Sequence, residues 1–176
     1  DVAGAMLLMD TPGGTVRGNQ DLVDEVAAFA KEKPIFAFIE DMTASAGVSI
    51  ASQANKRFAN NPSALYGSMG TYAVLEDTSG TAEALGVIVH VVKAGEYKGV
   101  GEPGTEVTAE QLQEVQRIVN ALNDNYLGLI ARGLNKPIES IRALADGRIH
   151  PASIAVSLGL IDGIQTEDET YSQLVA

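Results

Sequence analysis

An α/β fold, with a parallel sheet joined by crossover helices and a helical C-terminal part, is predicted by three observations. Short, continuously apolar runs bounded by turn residues recur through the first half of the chain, with stretches of helical period between them. From Thr108 onward the apolar residues fall at helical spacing. The chain has 176 residues at 45% hydrophobic composition, enough to bury one sizeable core.

The elements follow in order. Met6 to Met9 is an apolar strand ending at Asp10, stopped by the turn Thr11-Pro12-Gly13-Gly14. A helix follows, with Asn19 or Asp21 as its cap and an apolar face of Leu22, Val23, Val26, Ala27, Phe29 and Ala30. Lys31 and Lys33 suit its C-terminal dipole, and Pro34 ends it. Ile35 to Ile39 reads as a second buried strand. Met42 to Gly47 is a small-residue turn leading into a helix over Val48 to Ala54. Arg57 to Ala59 is a third strand, Asn60 to Ala64 a loop and Thr81 to Leu85 a short helix. Val87 to Val92 has the strongest strand composition in the chain.

Thr108-Ala109-Glu110-Gln111 is a capping box. It opens a helix of about six turns through Leu112, Val115, Ile118, Val119, Leu122, Tyr126, Leu129 and Ile130. Pro137 starts a helix through Leu144, and Pro151 starts another over Ala152 to Leu158, stopped by Gly159. Glu167-Asp168-Glu169 reads as a solvated acidic tail. No linker or repeat divides residues 1–176, so the chain reads as one soluble globular domain. Its opening reads as a strand already under way, with earlier strands expected upstream.

Composition narrows the chemistry. The chain has no cysteine, which removes disulfides, thiolate catalysis and thiolate metal sites. His90 and His150 have no partner at metal-ligand spacing, so neither metal nor cofactor is expected. The net charge is −11 with 12 scattered Lys and Arg, the opposite of the clustered basic face that nucleic acid requires. No run of about 18 apolar residues marks a membrane span, so membrane association is expected only through segments absent from this chain.

Three segments carry chemistry. A serine hydroxyl needs a neighbour to take its proton and N–H groups to receive the developing oxyanion. Ser45, in Thr43-Ala44-Ser45-Ala46-Gly47, lies at a strand-to-helix turn where helix N–H groups point toward negative charge. The turn at Gly13-Gly14 offers further N–H donors, and Lys98, in Gly95-Glu96-Tyr97-Lys98, offers a base. A lysine is a base near neutral pH only where desolvation or a nearby cation lowers its pKa from about 10.4.

The order Asp10-Thr11-Pro12-Gly13-Gly14, Ala44-Ser45-Ala46-Gly47, Gly67-Ser68-Met69-Gly70, Gly95-Glu96-Tyr97-Lys98, Pro103 and Thr108 resembles the signal peptide peptidase A family. These are the S49 serine peptidases, phage-type capsid-maturation proteases included. Asp146-Gly147-Arg148-Ile149-His150-Pro151, Ala155 and Gly159-Leu160-Ile161-Asp162 resemble the family's closing signature, so the likeness runs from about residue 5 to residue 164. It implies a crotonase/ClpP-like fold and peptide hydrolysis by a Ser-Lys dyad. Ser45 matches the nucleophile, and Lys98, 53 positions later, the general base. Ser68 matches the serine that orients the lysine. Gly13, with Gly14 beside it, and Ala46 match the oxyanion hole. Ser45-Ala46-Gly47-Val48 stands closer to the phage-type relatives than to members with Ser-Gly-Gly-Tyr. The resemblance also implies a peptide or unfolded-protein substrate, signal-peptide remnants or capsid scaffold among them, and a ring-like homo-oligomer. It is compatible with a membrane-tethered, cytoplasmic or phage-associated protein.

Alternative functions are weighed on the same residues. A Ser-His-Asp caseinolytic-type protease needs a histidine roughly 25 residues after the serine, and Tyr66 to Val74 contains none. An acyl-CoA hydratase or isomerase of the same broad fold leaves Ser45 and Lys98 without a role. A catalytically silent assembly scaffold would use an apolar edge of the long helix (Val119, Tyr126, Ile130). Val48, Ala44 and Ala73 are expected to wall a specificity pocket for small or hydrophobic residues.

Overall fold

The computed structural model describes residues 2–176. Contacts group the chain into two compact units: residues up to Gly70 together with Asn123–Ala176, and Thr71–Leu122.

The first unit is built on a six-stranded sheet. Its strands are β1 (Ala5–Thr11), β2 (Ile35–Ala44), β3 (Lys56–Ala59), β4 (Leu65–Gly67), β5 (Ile149–Pro151) and β6 (Gly163–Ile164). All pairings are parallel except β4 with β5, which is antiparallel. Strand β2 organises the rest. Its first half pairs with β1 on one side and β3 on the other, and its second half pairs with β4 through Met42, Thr43 and Ala44. The strand therefore runs five residues past Ile39, where the apolar run stops, because backbone pairing carries it as far as the residue before Ser45.

Both faces of β2 are covered, which explains its uninterrupted apolar composition. Ile35, Ala37 and Ile39 enter the main core with Val26, Val48, Ala51, Leu127, Ile130, Ile141 and Leu160. Phe36 and Phe38 enter a second cluster with Phe58, the Phe36 and Phe58 rings meeting edge to face at 5.9 Å. Leu174 of helix α7 (Glu167–Val175) packs against that second cluster. Glu167, Asp168 and Glu169 are thus the first turn of a helix, not a tail. Thr166 accepts from the Glu169 N–H, and the Glu169 carboxylate accepts from the Thr166 N–H, a reciprocal capping box.

The other helices are α1 (Asn19–Glu32), α2 (Ala46–Ala51), α3 (Ser79–Ala84), α4 (Ala109–Leu134), α5 (Ile138–Arg142) and α6 (Ala152–Ser157). Helix α1 is capped by Gly18 in the left-handed region (φ 78°), not by Asn19 or Asp21. Asn19 Nδ2 instead donates to Ser49 Oγ of α2 at 3.0 Å. The capping box of α4 forms as its sequence requires: Thr108 N–H donates to Gln111 Oε1 and Gln111 N–H to Thr108 Oγ1. Of the apolar edge assigned to subunit contacts, Val119 is half-buried in the second unit and the other two residues are internal. Tyr126 and Ile130 are buried in the core of the first unit, so they hold α4 in place and offer no outward surface.

The second unit holds α3 and the first turns of α4. Asp77 ties it together: its carboxylate accepts from Ser79 N–H, Ser79 Oγ and Val107 N–H. Here one expectation fails. Val87–Val92 forms no strand, although its composition is the most strand-like in the chain. A strand needs a partner to take its N–H and C=O groups, and among the described residues Thr71–Leu122 contains no other strand.

Candidate active site

Ser45 is the junction between β2 and α2, and its backbone is strained. It holds φ 51° and ψ −122°, outside the ordinary regions for a residue with a Cβ. Such a conformation costs about 1–3 kcal/mol and persists only where its surroundings over-determine it. The surroundings here are three hydrogen bonds. Ser45 N–H donates to Gly67 C=O at 2.9 Å, and Ser45 C=O accepts from Val48 N–H at 2.9 Å and from the Tyr126 hydroxyl at 2.6 Å. A sharp strand-to-helix turn of this kind lifts a serine Oγ clear of the sheet, the geometry of a nucleophile elbow.

The Gly13 turn lies directly against it. A Cβ at Gly13 would stand 2.6 Å from Ser45 Cβ and 3.1 Å from Ser45 Oγ, and Gly13 itself has φ 109°. Only glycine brings a backbone this close to the hydroxyl. Its N–H is engaged, donating to Thr11 Oγ1 at 3.1 Å. Gly14 is exposed with open space around it. Ala46 is the first residue of α2, so its N–H has no partner within that helix. Gly47 allows the turn to close, since a Cβ there would meet Thr11 Cγ2 at 2.7 Å and Thr43 Cγ2 at 3.2 Å.

Ser68 follows the carbonyl that holds Ser45. It is half-buried with φ 53°, and its N–H donates to Arg148 C=O at 2.6 Å. The Asp146–Pro151 motif is what holds it: β5 pairs with β4, Gly147 N–H donates to Met69 C=O, and a Cβ at Gly67 would stand 2.8 Å from Arg148 O. Arg148 itself pairs with Asp146 at 3.2 Å.

The first unit therefore brings together Ser45, Gly13, Gly14, Ala46 and Ser68. Lys98 belongs to the second unit, exposed on the turn between Gly95 and Gly101, its N–H donating to Gly95 C=O at 3.2 Å. Ala44 and Val48 are buried in the core, so neither walls a pocket as expected; their small size serves packing under the turn. Among the described residues no group of three or more His, Cys, Asp or Glu side chains could hold a metal ion. No helix among them is long and apolar enough to cross a membrane.

Sequence reasoning missed Tyr126 as a partner of Ser45. Burial pushes its phenol well above the usual range, so the hydroxyl stays a proton donor to the Ser45 carbonyl. Tyr66 beneath is fully buried and likewise held neutral, and its hydroxyl has no hydrogen-bond partner. Tyr126 stands at an apolar position of a helical repeat, and nothing in that pattern marks where its hydroxyl goes.

Comparison with known proteins bears on the family and the fold. The chain is 30% identical over 98% of its length to the provisionally named protease MJ0651 of Methanocaldococcus jannaschii, and covers 55% of that protein. It is 29% identical over 98% of its length to the provisionally named signal peptide peptidase SppA of Enterococcus faecium, covering 50% of it. It is 27% identical over 92% of its length to capsid assembly protease C of Escherichia phage lambda, covering 36% of that protein. The chain thus spans about half the length, or less, of these relatives. A ClpP1 mutant from Listeria monocytogenes superposes with a TM-score of 0.60 over 96% of this chain and 77% of its own, at 16% identity, so the α/β fold is ClpP-like. The model of peptidase family S49 matches residues 27–176, from the middle of α1 through the Ser45 elbow to the C-terminal helix, and the chain belongs to that family.

Proposed function

We propose that the chain is the peptidase domain of a serine endopeptidase in which Ser45 is the nucleophile and Lys98 the general base. The observation that carries the reading is the strained Ser45 elbow with the Gly13 backbone packed against its hydroxyl. Ser45 Oγ attacks the scissile carbonyl while the neutral Lys98 amine takes its proton. The oxyanion receives N–H groups from Ala46 and the Gly13-Gly14 turn, where Gly14 is the unencumbered donor while Gly13 stays bonded to Thr11. The C–N bond breaks as the Lys98 ammonium protonates the leaving amine. Water, deprotonated by Lys98, then releases the acyl group and restores Ser45. Ser68 orients the lysine. The exposed turn does not itself desolvate Lys98, so this reading requires the amine to be buried when the site is assembled.

The substrate class is peptide or unfolded protein, with signal-peptide remnants the first candidates. The likeness to a phage protein named for capsid assembly supports a maturation protease as the second. The domain reading is a single S49-type domain over 1–176, and a homo-oligomer shields the site.

The test is covalent labelling with a fluorophosphonate, the adduct mapped by mass spectrometry, in the chain and in Lys98→Ala. Labelling at Ser45 that falls at least about a hundredfold in the variant is the expected result. Labelling that survives in Lys98→Ala removes the lysine from the mechanism. A folded protein that stays unlabelled at Ser45 leaves only the silent scaffold.

A further inference from the structure

The second unit leaves a segment of strand composition without a sheet. Val87–Val92 contains five β-branched residues in six and no formal charge with His90 neutral. It already has the two-residue alternation of a strand. Val89 and Val91 are 39% and 40% exposed and face the loop at Gly104 and Gly99, where an added Cβ would meet their methyls at 2.8 and 2.9 Å. Ile88 and Val92, on the other face, are 79% and 98% exposed. Val87 N–H donates to Ala82 C=O, but no backbone group from Ile88 to Val92 is hydrogen-bonded among the described residues. Thr71–Leu75 is a second uncharged run outside any helix or strand, with Tyr72 and Val74 87% and 72% exposed, and Leu75 reaches the same loop at Gly101.

We propose that Val87–Val92 is a β-strand completed by the same segment of a second copy of the chain, antiparallel about a two-fold axis at His90. Three arguments select this occupant. The first is exposure. With Leu85 and Tyr97, these segments expose nine large apolar side chains, a concentration that marks an interaction surface where single scattered ones do not. The second is charge. Two copies at −11 each repel, and the uncharged runs are where they approach without that cost. The third is self-complementarity. Opposed residues in an antiparallel ladder share a face, so a register centred on His90 sets Ile88 of each copy against Val92 of the other, pairing the two most exposed side chains of the run. A two-fold contact of this kind is closed, since the same edge is used on both sides.

The chain has no cysteine, so one engineered residue reports the register. His90→Cys should form a disulfide-linked dimer under mild oxidation, because residues directly opposed in the ladder lie within disulfide reach. In the unmodified chain, amide exchange of residues 88–92 should slow at least about tenfold between low and high micromolar protein. Ile88→Lys should remove both effects while circular dichroism stays unchanged, as the side chain is exposed. Slow exchange that is independent of concentration would mean pairing within one chain and overturn the proposal. So would protection that appears only on adding an extended apolar hexapeptide, an oligomer that persists in Ile88→Lys, or a wild-type chain that stays monomeric and unprotected. None of these readouts depends on peptidase activity.

Discussion

Tyr126 reaches across 81 positions of sequence to donate its hydroxyl to Ser45 C=O, and that single bond is open to test without disturbing the core. Tyr126→Phe keeps the buried ring and removes only the oxygen. Ser45 C=O retains Val48 N–H, so the expected loss of stability is small, about 1 kcal/mol. What should change is the definition of the strained turn. The maximal rate of Ser45 labelling by a fluorophosphonate is expected to fall several-fold while the probe's half-saturating concentration stays put, read from labelling rate against probe concentration. A Phe variant that labels at the full rate would show that Gly67 and Val48 hold the elbow alone. The difference between what sequence and fold display is sharpest at this residue. Ser45, Gly13 and Gly47 stand in short motifs whose residue types follow from local chemistry: the proposed nucleophile, a close backbone approach, a turn with no room for a methyl. Tyr126 has a hydroxyl that is silent until α4 is laid over the turn.

At the level of elements, the β2-to-α2 junction is a packing problem solved by Gly47. A Cβ there would press on Thr11 Cγ2 at 2.7 Å, so Gly47→Ala should destabilise the chain by about 1–3 kcal/mol. Thr11→Ser removes that methyl and keeps the oxygen that accepts from Gly13 N–H. The double variant should therefore recover a large part of the loss in denaturant unfolding, and additive effects would mean that the clash lies with Thr43 instead. The same junction explains which elements were readable. Strand β2 and helices α1 and α4 carry periodic or continuous apolar patterns, and these match the layers they enter. Strands β4, β5 and β6 are only two or three residues long and exist because β2, β3 and the closing motif offer backbone partners, which composition does not record. Helix α7 covers Phe36 and Phe38, yet its acidic first turn reads as a solvated tail until the capping box with Thr166 is seen. Val87–Val92 is the reverse case: the side chains favour a strand and the ladder partner is missing.

The whole molecule divides its polar ties between its two units, and this predicts where acid acts first. In the first unit Asp162 accepts from Arg57 N–H and pairs with the Arg57 guanidinium at 2.7 Å, fastening β3 to the segment before β6 around an apolar core. The second unit has much less core and leans on Asp77, whose carboxylate is held below the usual aspartate range, first by Ser79 Oγ and then by the N–H groups of Val107 and Ser79. A carboxyl with a depressed folded pKa contributes stability that is fully present above its unfolded value, about 4, and is lost as pH falls through the folded value. Residues 78–107 should accordingly lose amide protection below about pH 4 while β2 stays protected, as read by hydrogen exchange with mass spectrometry. Because pH 4 is close to the chain's isoelectric point of about 4.5, self-association accompanies the change and light scattering would confuse the two. Asp77→Asn supplies the decisive comparison. An amide oxygen accepts more weakly and its NH2 cannot accept from Ser79 or Val107, so the variant should show the loosened segment already at pH 7 and no further change in acid. If wild type and variant loosen together as pH falls, the acid-sensitive group is another carboxylate, and the second unit is held by something other than the Asp77 cap.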